Sequence, residues 1–206
     1  MDGSVSTLII IAITCVVSFT AFGNPKIMGA LIFWPPAVTR NHAYHRLITY
    51  GFVHADGRHL LFNMVTLYFF GRAMEGFITD YLGTYGFVLF YVFGLIVSIL
   101  PTWLRHRDDE QYFSLGASGA VSAVLFAFIL IHPWTTILIF VLPVPAIVYA
   151  VLYLGYTIYM DRKSVDRINH SAHLWGAAYG IVFLIAMEPR VIGVFLDELS
   201  HPRLGM

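Results

Sequence analysis

The chain has 206 residues, of which 58% are hydrophobic and 12% are charged. A soluble domain carries about 25% charged residues, so this composition excludes an ordinary soluble domain and indicates a polytopic membrane protein. The formal net charge is zero, which leaves no basic surface for nucleic acid, and the single cysteine, Cys15, excludes an internal disulfide.

Six stretches of the chain have the character of membrane-spanning helices, because a helix needs about 20 apolar residues to cross a bilayer. All but one are free of Asp, Glu, Lys and Arg, and the second begins with Arg58 and is then interrupted only by Arg72 and Glu75. The predicted helices are residues 4–22, 58–78, 81–103, 115–131, 135–158 and 170–187. The sequence therefore predicts an all-α polytopic membrane protein, with six transmembrane helices in a single domain over residues 1–206.

The connections between these stretches support the same reading. The first stretch has the length of a signal peptide, but it lacks a basic region before it and a small-residue cleavage site, so we expect a retained helix. Residues 23–57 contain FWPP and several histidines, which is typical of a membrane-associated loop at the interface. The sequence HPW at residues 132–134 offers a turn between the fourth and fifth helices.

The positive charges favour one orientation in the membrane. Nine of the twelve Lys and Arg residues lie on one side: eight in the connections after the first, third and fifth predicted helices, and Arg58 at the first residue of the second helix. The positive-inside rule places that side in the cytoplasm.

Polar side chains in or near the predicted spans form three clusters. They are His54 with His59 and Asn63, then Ser118, then His170 with His173. His59 and Asn63 are four residues apart and share a helix face. Polar groups are costly inside a bilayer and are functional candidates. Structural roles are the alternative, since a membrane serine or asparagine can bond its own or a neighbouring helix, and a histidine at a helix end is often interfacial.

Small residues recur every fourth position in two of the predicted helices. The two series are Gly119, Ala123 and Ala127, and Ala172, Gly176 and Gly180. Such ridges let two helix backbones approach closely in lipid. Ser118 lies beside the first ridge and His173 beside the second, so close packing would bring a hydroxyl within hydrogen-bond reach of an imidazole. This is the arrangement of a base-activated nucleophile.

Ser118 also lies near the start of its predicted helix. Unpaired N–H groups and the positive end of the helix dipole favour an oxyanion there. His59 and Asn63 are further candidate donors to that oxyanion. No acidic residue is placed to complete a triad, so the pattern indicates a Ser–His dyad that requires no metal and no cofactor.

Three motifs in chain order resemble those of the rhomboid family of intramembrane serine proteases. They are HLLFN in the second helix, GASG at the start of the fourth and AHLWGAAYG in the sixth. The resemblance implies Ser118 as the nucleophile and His173 as the general base. It also implies an oxyanion hole formed by His59, Asn63 and the Ser118 backbone N–H.

The resemblance assigns supporting roles as well. It implies that Gly116 leaves room at the oxyanion hole, that His54 is structural, and that Glu75 ties the second helix to the first loop. It further implies that residues 23–57 form a partly embedded hairpin.

Two positions depart from the family pattern. Many members carry Trp-Arg in the first loop, where this chain has His45-Arg46. Some members have an aromatic residue four positions after the serine, packed on the catalytic imidazole, where this chain has Ser122. The orientation of His173 must then come from another group.

The resemblance implies a serine endopeptidase that cleaves transmembrane segments of membrane proteins within the lipid bilayer. It also implies a multi-pass protein of the bacterial inner (plasma) membrane with a cytoplasmic N-terminus, which is opposite to the orientation that the positive charges favour. One alternative is a catalytically inactive relative that binds transmembrane helices. A haem or metal protein would account for the nine histidines, although H-E-x-x-H does not occur. A small transporter is disfavoured because no sequence repeat is evident.

Overall fold

The computed structural model describes residues 4–139, 141–163, 166 and 168–202. Two of the arginines counted above, Arg167 and Arg203, and both ends of the predicted domain lie outside these residues. The helices are α1 (Val5–Phe22), α2 (Pro25–Leu31), α3 (Pro35–Arg40), α4 (Arg46–Thr49), α5 (Gly57–Thr66), α6 (Arg72–Leu82), α7 (Gly86–His106), α8 (Ser118–Ile131), α9 (Ala146–Lys163), α10 (His170–Met187) and α11 (Val191–Ser200). A 3-10 turn (Tyr50–Phe52) precedes α5, and a π-helical turn (Leu67–Gly71) joins α5 to α6.

Three helices among the described residues are long and apolar enough to cross a membrane. They are α1, α7 and α10. The predicted count of six spans is therefore not confirmed. The fourth predicted helix has only 14 residues as α8. The second is divided by the π turn, and its last part carries charged residues.

The prediction of one helix over residues 135–158 is wrong for the residues before Ala146. Residues Thr136–Ile139 (β1) and Leu142–Pro145 (β2) form an antiparallel hairpin, and α9 begins only at Ala146. Two prolines in β2 and β-branched residues in β1 disfavour a helix there. A count of apolar residues cannot make this distinction. The short helix α11 was not predicted, because ten residues are too few to cross a bilayer.

The centre of the protein is the contact between α8 and α10. Every residue of α8 from Gly119 to Leu130 is buried. A Cβ atom added at Gly176 would lie 2.0 Å from the Gly119 carbonyl oxygen, and one added at Gly180 would lie 2.1 Å from the Ala123 carbonyl oxygen. The two helices thus meet backbone to backbone, which only glycine permits at these positions.

Glu75 caps the N-terminus of α1. Its two carboxylate oxygens accept hydrogen bonds from the backbone N–H groups of Ser6 (2.7 Å) and Thr7 (2.8 Å). These N–H groups have no partner within their own helix. The resemblance assigned Glu75 to the first loop, but its carboxylate instead joins the second helical segment to α1.

The first connection packs against the segment that leads to Ser118. Phe33 and Ser114 exchange two backbone hydrogen bonds of 3.0 Å. The Arg46 guanidinium donates to the Ile32 carbonyl oxygen at 2.5 Å, which closes the connection on itself. The connection at residues 23–57 therefore contributes directly to the position of the site.

Replacing Gly176 with alanine tests the contact between α8 and α10. Gly176→Ala places a methyl group against the Gly119 backbone, and we expect a loss of about 1–3 kcal/mol in the free energy of unfolding. Thermal unfolding in detergent micelles measures the effect. The matched control is Gly155→Ala in α9, where an added Cβ meets nothing within 4 Å. Equal stability of the two variants would contradict the backbone contact.

Candidate active site

Ser118 and His173 are hydrogen-bonded to each other. The Ser118 Oγ atom lies 2.7 Å from His173 Nε2. Ser118 is the first residue of α8, and His173 lies in the first turn of α10. The backbone contact between the two helices thus sets the distance between hydroxyl and imidazole.

Asn169 fixes the start of α10. Its side-chain oxygen accepts the Ala172 N–H (3.0 Å) and the Thr102 hydroxyl of α7 (3.0 Å), while its amide nitrogen donates to Ser114 Oγ (3.1 Å). The helix that carries His173 is thereby tied to α7 and to the segment before Ser118. Sequence reasoning missed Asn169, although an asparagine just before an apolar helix is a recognisable N-cap.

Gly116 shapes the turn that presents Ser118. Its φ angle is 111°, a conformation that favours glycine, and its N–H donates to the Tyr50 carbonyl oxygen at 2.9 Å. A Cβ atom at this position would lie 2.6 Å from Cε1 of the His59 ring. The absence of a side chain at Gly116 therefore makes room for His59.

His54 joins α1 to the residue before Ser118. The Ala117 backbone N–H donates to His54 Nε2 at 3.3 Å, so Nδ1 carries the proton and donates to Ser18 Oγ at 3.0 Å. The Ser18 hydroxyl in turn donates to the Phe52 carbonyl oxygen at 2.9 Å. Burial and, secondly, the neighbouring His59 lower the pKa of His54 to about 3, which keeps the ring in the neutral form that this chain of bonds requires.

His59 and Asn63 lie in α5 and line the same cavity as Ser118. The Asp56 side chain caps this helix by accepting the His59 N–H at 2.8 Å. The His59 ring packs edge-on against His54, with ring centroids 4.9 Å apart. The Asn63 amide donates to the His59 carbonyl oxygen at 2.9 Å, which uses one of its two N–H bonds.

A cavity of 970 Å³ opens at this cluster. Its lining includes His59, Asn63, Gly116, Ser118 and His173. The structure therefore brings together side chains that are up to 114 positions apart in the sequence (173 − 59 = 114). Polar residues from two further segments line the same cavity. Gln111 and Ser114 lie in the segment before Ser118, and Asp166 and Asn169 lie in the segment before α10.

Two aromatic rings flank the His173 imidazole. The Tyr153 ring is stacked on it, with centroids 6.1 Å apart and planes 18° apart, and the His170 ring meets it edge-on at 5.9 Å. Trp175, the other candidate for orienting His173, is 50% exposed. Sequence reasoning missed Tyr153, because nothing in the pattern of α9 distinguishes it from the other tyrosines there.

The Asp166 carboxylate is hydrogen-bonded to His170 and not to His173, the candidate general base. His170 Nε2 lies 3.1 Å from both oxygens of the Asp166 carboxylate. The hydrogen bonds of the described residues thus link Ser118 to His173 without extending from His173 to a carboxylate.

Comparison with known proteins assigns the chain to a family. The family model of the Rhomboid domain matches residues 41–190, which is more than half of the chain and includes every side chain of the cluster around Ser118. The chain belongs to the rhomboid family. This family includes serine proteases.

Individual relatives agree with this assignment. The RHOMBOID-like protein 12, mitochondrial, of Arabidopsis thaliana is 34% identical over 150 residues, which cover 67% of this chain and 45% of that protein. The Rhomboid-like protein 11, chloroplastic, of the same plant is 31% identical over 69% of this chain and 52% of its own length. Rhomboid protein 1, mitochondrial, of Saccharomyces cerevisiae is 30% identical over 66% and 40%, respectively.

The rhomboid chain spans about half the length of these curated relatives. Its family and its candidate membrane spans indicate a multi-pass integral membrane protein. The predicted bacterial inner membrane is not supported, because these relatives are named for mitochondria or chloroplasts.

Replacing Gly116 with alanine tests the turn before Ser118. Gly116→Ala introduces a side chain at a positive φ angle and against the His59 ring, and we expect a loss of about 1–3 kcal/mol in stability. Chemical or thermal unfolding of the purified protein measures it. Gly57→Ala is the control, since a Cβ atom there meets nothing within 4 Å. A Gly116→Ala protein as stable as Gly57→Ala would show that the turn tolerates a side chain.

Proposed function

We propose that this chain is an intramembrane serine endopeptidase that cleaves transmembrane segments of other membrane proteins. The observation that carries the proposal is the 2.7 Å contact between Ser118 Oγ and His173 Nε2 at the N-terminus of a buried helix. A serine bonded only to its own backbone would have no such partner. The cavity beside this contact, which has polar side chains in its lining, gives a substrate and water a place to bind.

The chemistry proceeds by acyl transfer. Ser118 Oγ attacks the carbonyl carbon of the scissile amide while His173 Nε2 takes the hydroxyl proton. Negative charge develops on the carbonyl oxygen, and the Ser118 N–H, His59 and the second N–H of the Asn63 amide stabilise it. His173 then gives its proton to the departing amine, and a water molecule activated by the same imidazole releases the acyl group.

The length of α8 explains how a hydrolytic site lies within a membrane. With 14 residues, α8 is about 21 Å long, whereas the hydrocarbon layer is about 30 Å thick. We infer a bundle of six crossings, in which α1, the run from α5 to α6, α7, α8, α9 and α10 each cross once. A central helix surrounded by protein does not need to match the bilayer, so its N-terminus can lie below one membrane surface at the end of a water-filled cavity.

The expected substrate is a transmembrane segment that unwinds easily. An intact helix keeps its amide groups in internal hydrogen bonds, so the scissile bond must first leave the helix. Glycine and proline near the cleavage site would favour this step. No part of the proposal requires a metal or a cofactor.

Ser118→Ala tests the nucleophile. We expect the wild-type protein to be labelled by a fluorophosphonate probe and to cleave a co-reconstituted single-span protein, and we expect the variant to lose both properties completely. Gel-based labelling and product analysis by mass spectrometry measure them, with equal thermal stability as the check on folding. Ser200→Ala, at the end of α11, is the matched control. A wild-type protein that binds single-span proteins without labelling or cleavage would support the inactive relative instead.

The pH dependence of cleavage tests His173 as the base. Protonation of Nε2 removes the acceptor for the Ser118 proton, so we expect activity to be present when the imidazole is neutral and to be lost as the pH falls. On the acid side, kcat/KM is expected to fall about tenfold per pH unit. Initial rates in a series of buffers at constant ionic strength measure it, together with the folded fraction at each pH. Cleavage that increases in acid would contradict a neutral imidazole base.

A further inference from the structure

Tyr153 lies on the face of α9 that packs against the bundle. The buried residues of this helix are Ala146, Ala150 and Thr157. Tyr153 falls on the same face by helical spacing, between Ala150 and Thr157. The neighbouring Leu152 and Tyr156 are exposed. Two buried alanines let α9 lie close to its neighbours, and the tyrosine ring then packs beside the His173 ring.

Three contacts hold the Tyr153 side chain in place. Its hydroxyl lies 2.9 Å from Ser122 Oγ. Its ring stacks on Tyr149, with centroids 5.6 Å apart, and meets Phe126 of α8 at 5.6 Å with the planes tilted by 47°. Ser122 is one helical turn after Ser118, so the helix that carries the nucleophile also fixes this tyrosine.

The fixed ring restricts the imidazole of His173. The two planes are only 18° apart at a centroid separation of 6.1 Å, which is an offset stack of the kind that aromatic pairs favour. Rotation of the imidazole about its bond to Cβ would break this parallel contact and turn Nε2 away from Ser118 Oγ. The His170 ring, whose plane lies at 73° to the imidazole at a centroid distance of 5.9 Å, opposes the same rotation.

We propose that Tyr153 is a positioning residue for the general base, held by Ser122 and acting on His173 through its ring. This inference rests on the proposed protease function. It assigns α9 a direct part in the chemistry, because movement of α9 away from α8 and α10 would remove the ring that orients His173. It also accounts for the presence of Ser122 in place of an aromatic residue, since the hydroxyl bonds the ring that α9 supplies.

Substitutions at Tyr153 separate its ring from its hydroxyl. Tyr153→Leu removes the ring, and we expect kcat to fall by about tenfold to a hundredfold with KM changed by less than about threefold, because orientation of the base is lost while substrate binding is retained. Tyr153→Phe keeps the ring, and we expect kcat within about fivefold of wild type. Tyr159→Leu, at an exposed tyrosine of the same helix, is the matched control and should keep wild-type kinetics.

The bond to Ser122 is tested by a double-mutant cycle. We expect Ser122→Ala and Tyr153→Phe to have similar small effects on kcat, and the double variant to be no worse than either, because each removes the same bond. Fully additive effects would overturn the role of Ser122 as the holder of the ring. Both substitutions are small, so the cycle remains informative if Tyr153→Leu does not fold.

A spectroscopic measurement tests the position of the imidazole without any substrate. In protein with isotope-labelled histidine, the His173 ring signals are assigned by their loss in His173→Ala. We expect these signals to shift and broaden in Tyr153→Leu, to stay near their wild-type position in Tyr153→Phe, and to be unchanged in Tyr159→Leu. Unchanged His173 signals in Tyr153→Leu, together with an unchanged kcat, would overturn the proposal.

The failure of this inference is distinguishable from the failure of the proposed function. If the wild-type protein is neither labelled by the fluorophosphonate probe nor able to cleave, the proposed protease function is overturned. This holds for any result with the Tyr153 variants. A wild-type protein that is labelled and cleaves, with kcat and His173 signals indifferent to the Tyr153 ring, overturns only the positioning role.

Discussion

The contact between the backbones of α8 and α10 is the constraint on which the site depends. At Gly176 and Gly180 the carbonyl groups of α8 occupy the space that a side chain would need. Membrane helices gain little from burying apolar groups against each other, because lipid is equally apolar, so close van der Waals contact is what holds such a pair together. The hydrogen bond from Ser118 to His173 is a consequence of this approach, since both residues lie in the first turns of these two helices.

Polar contacts made by Asn169 and His54 orient the two ends of that pair. Asn169 holds the start of α10 to α7 and to the segment before Ser118. His54 holds the residue before Ser118 to α1 through Ser18. Buried polar groups without partners are costly, so each of these satisfied bonds also favours one arrangement of the helices over others. Elements from α1 to α10 thus contribute to the position of a single hydroxyl.

The departures from the family pattern have local structural consequences. At His45-Arg46 the arginine retains a structural contact, because its guanidinium bonds the carbonyl oxygen of Ile32 and closes the first connection. At Ser122 the missing aromatic ring is supplied by Tyr153 from another helix. In the second case the interaction depends on which atoms meet in space, so a residue from a different part of the chain can provide it.

The sequence by itself determined the membrane class, the family and the positions of most helices, because apolar length and small-residue spacing are local properties of the chain. It also indicated which polar residues to consider, since a hydroxyl, four histidines and an asparagine are unusual in such a setting. It did not reveal that residues 136–139 and 142–145 pair as antiparallel strands, because apolar strands and apolar helices have the same composition. The partners of Glu75, the bonds from Asn169 to Thr102 and Ser114, and the ring of Tyr153 over His173 were decided only by the tertiary structure. Each of these contacts joins residues on different elements, and their meeting depends on how the helices pack, which no local pattern encodes.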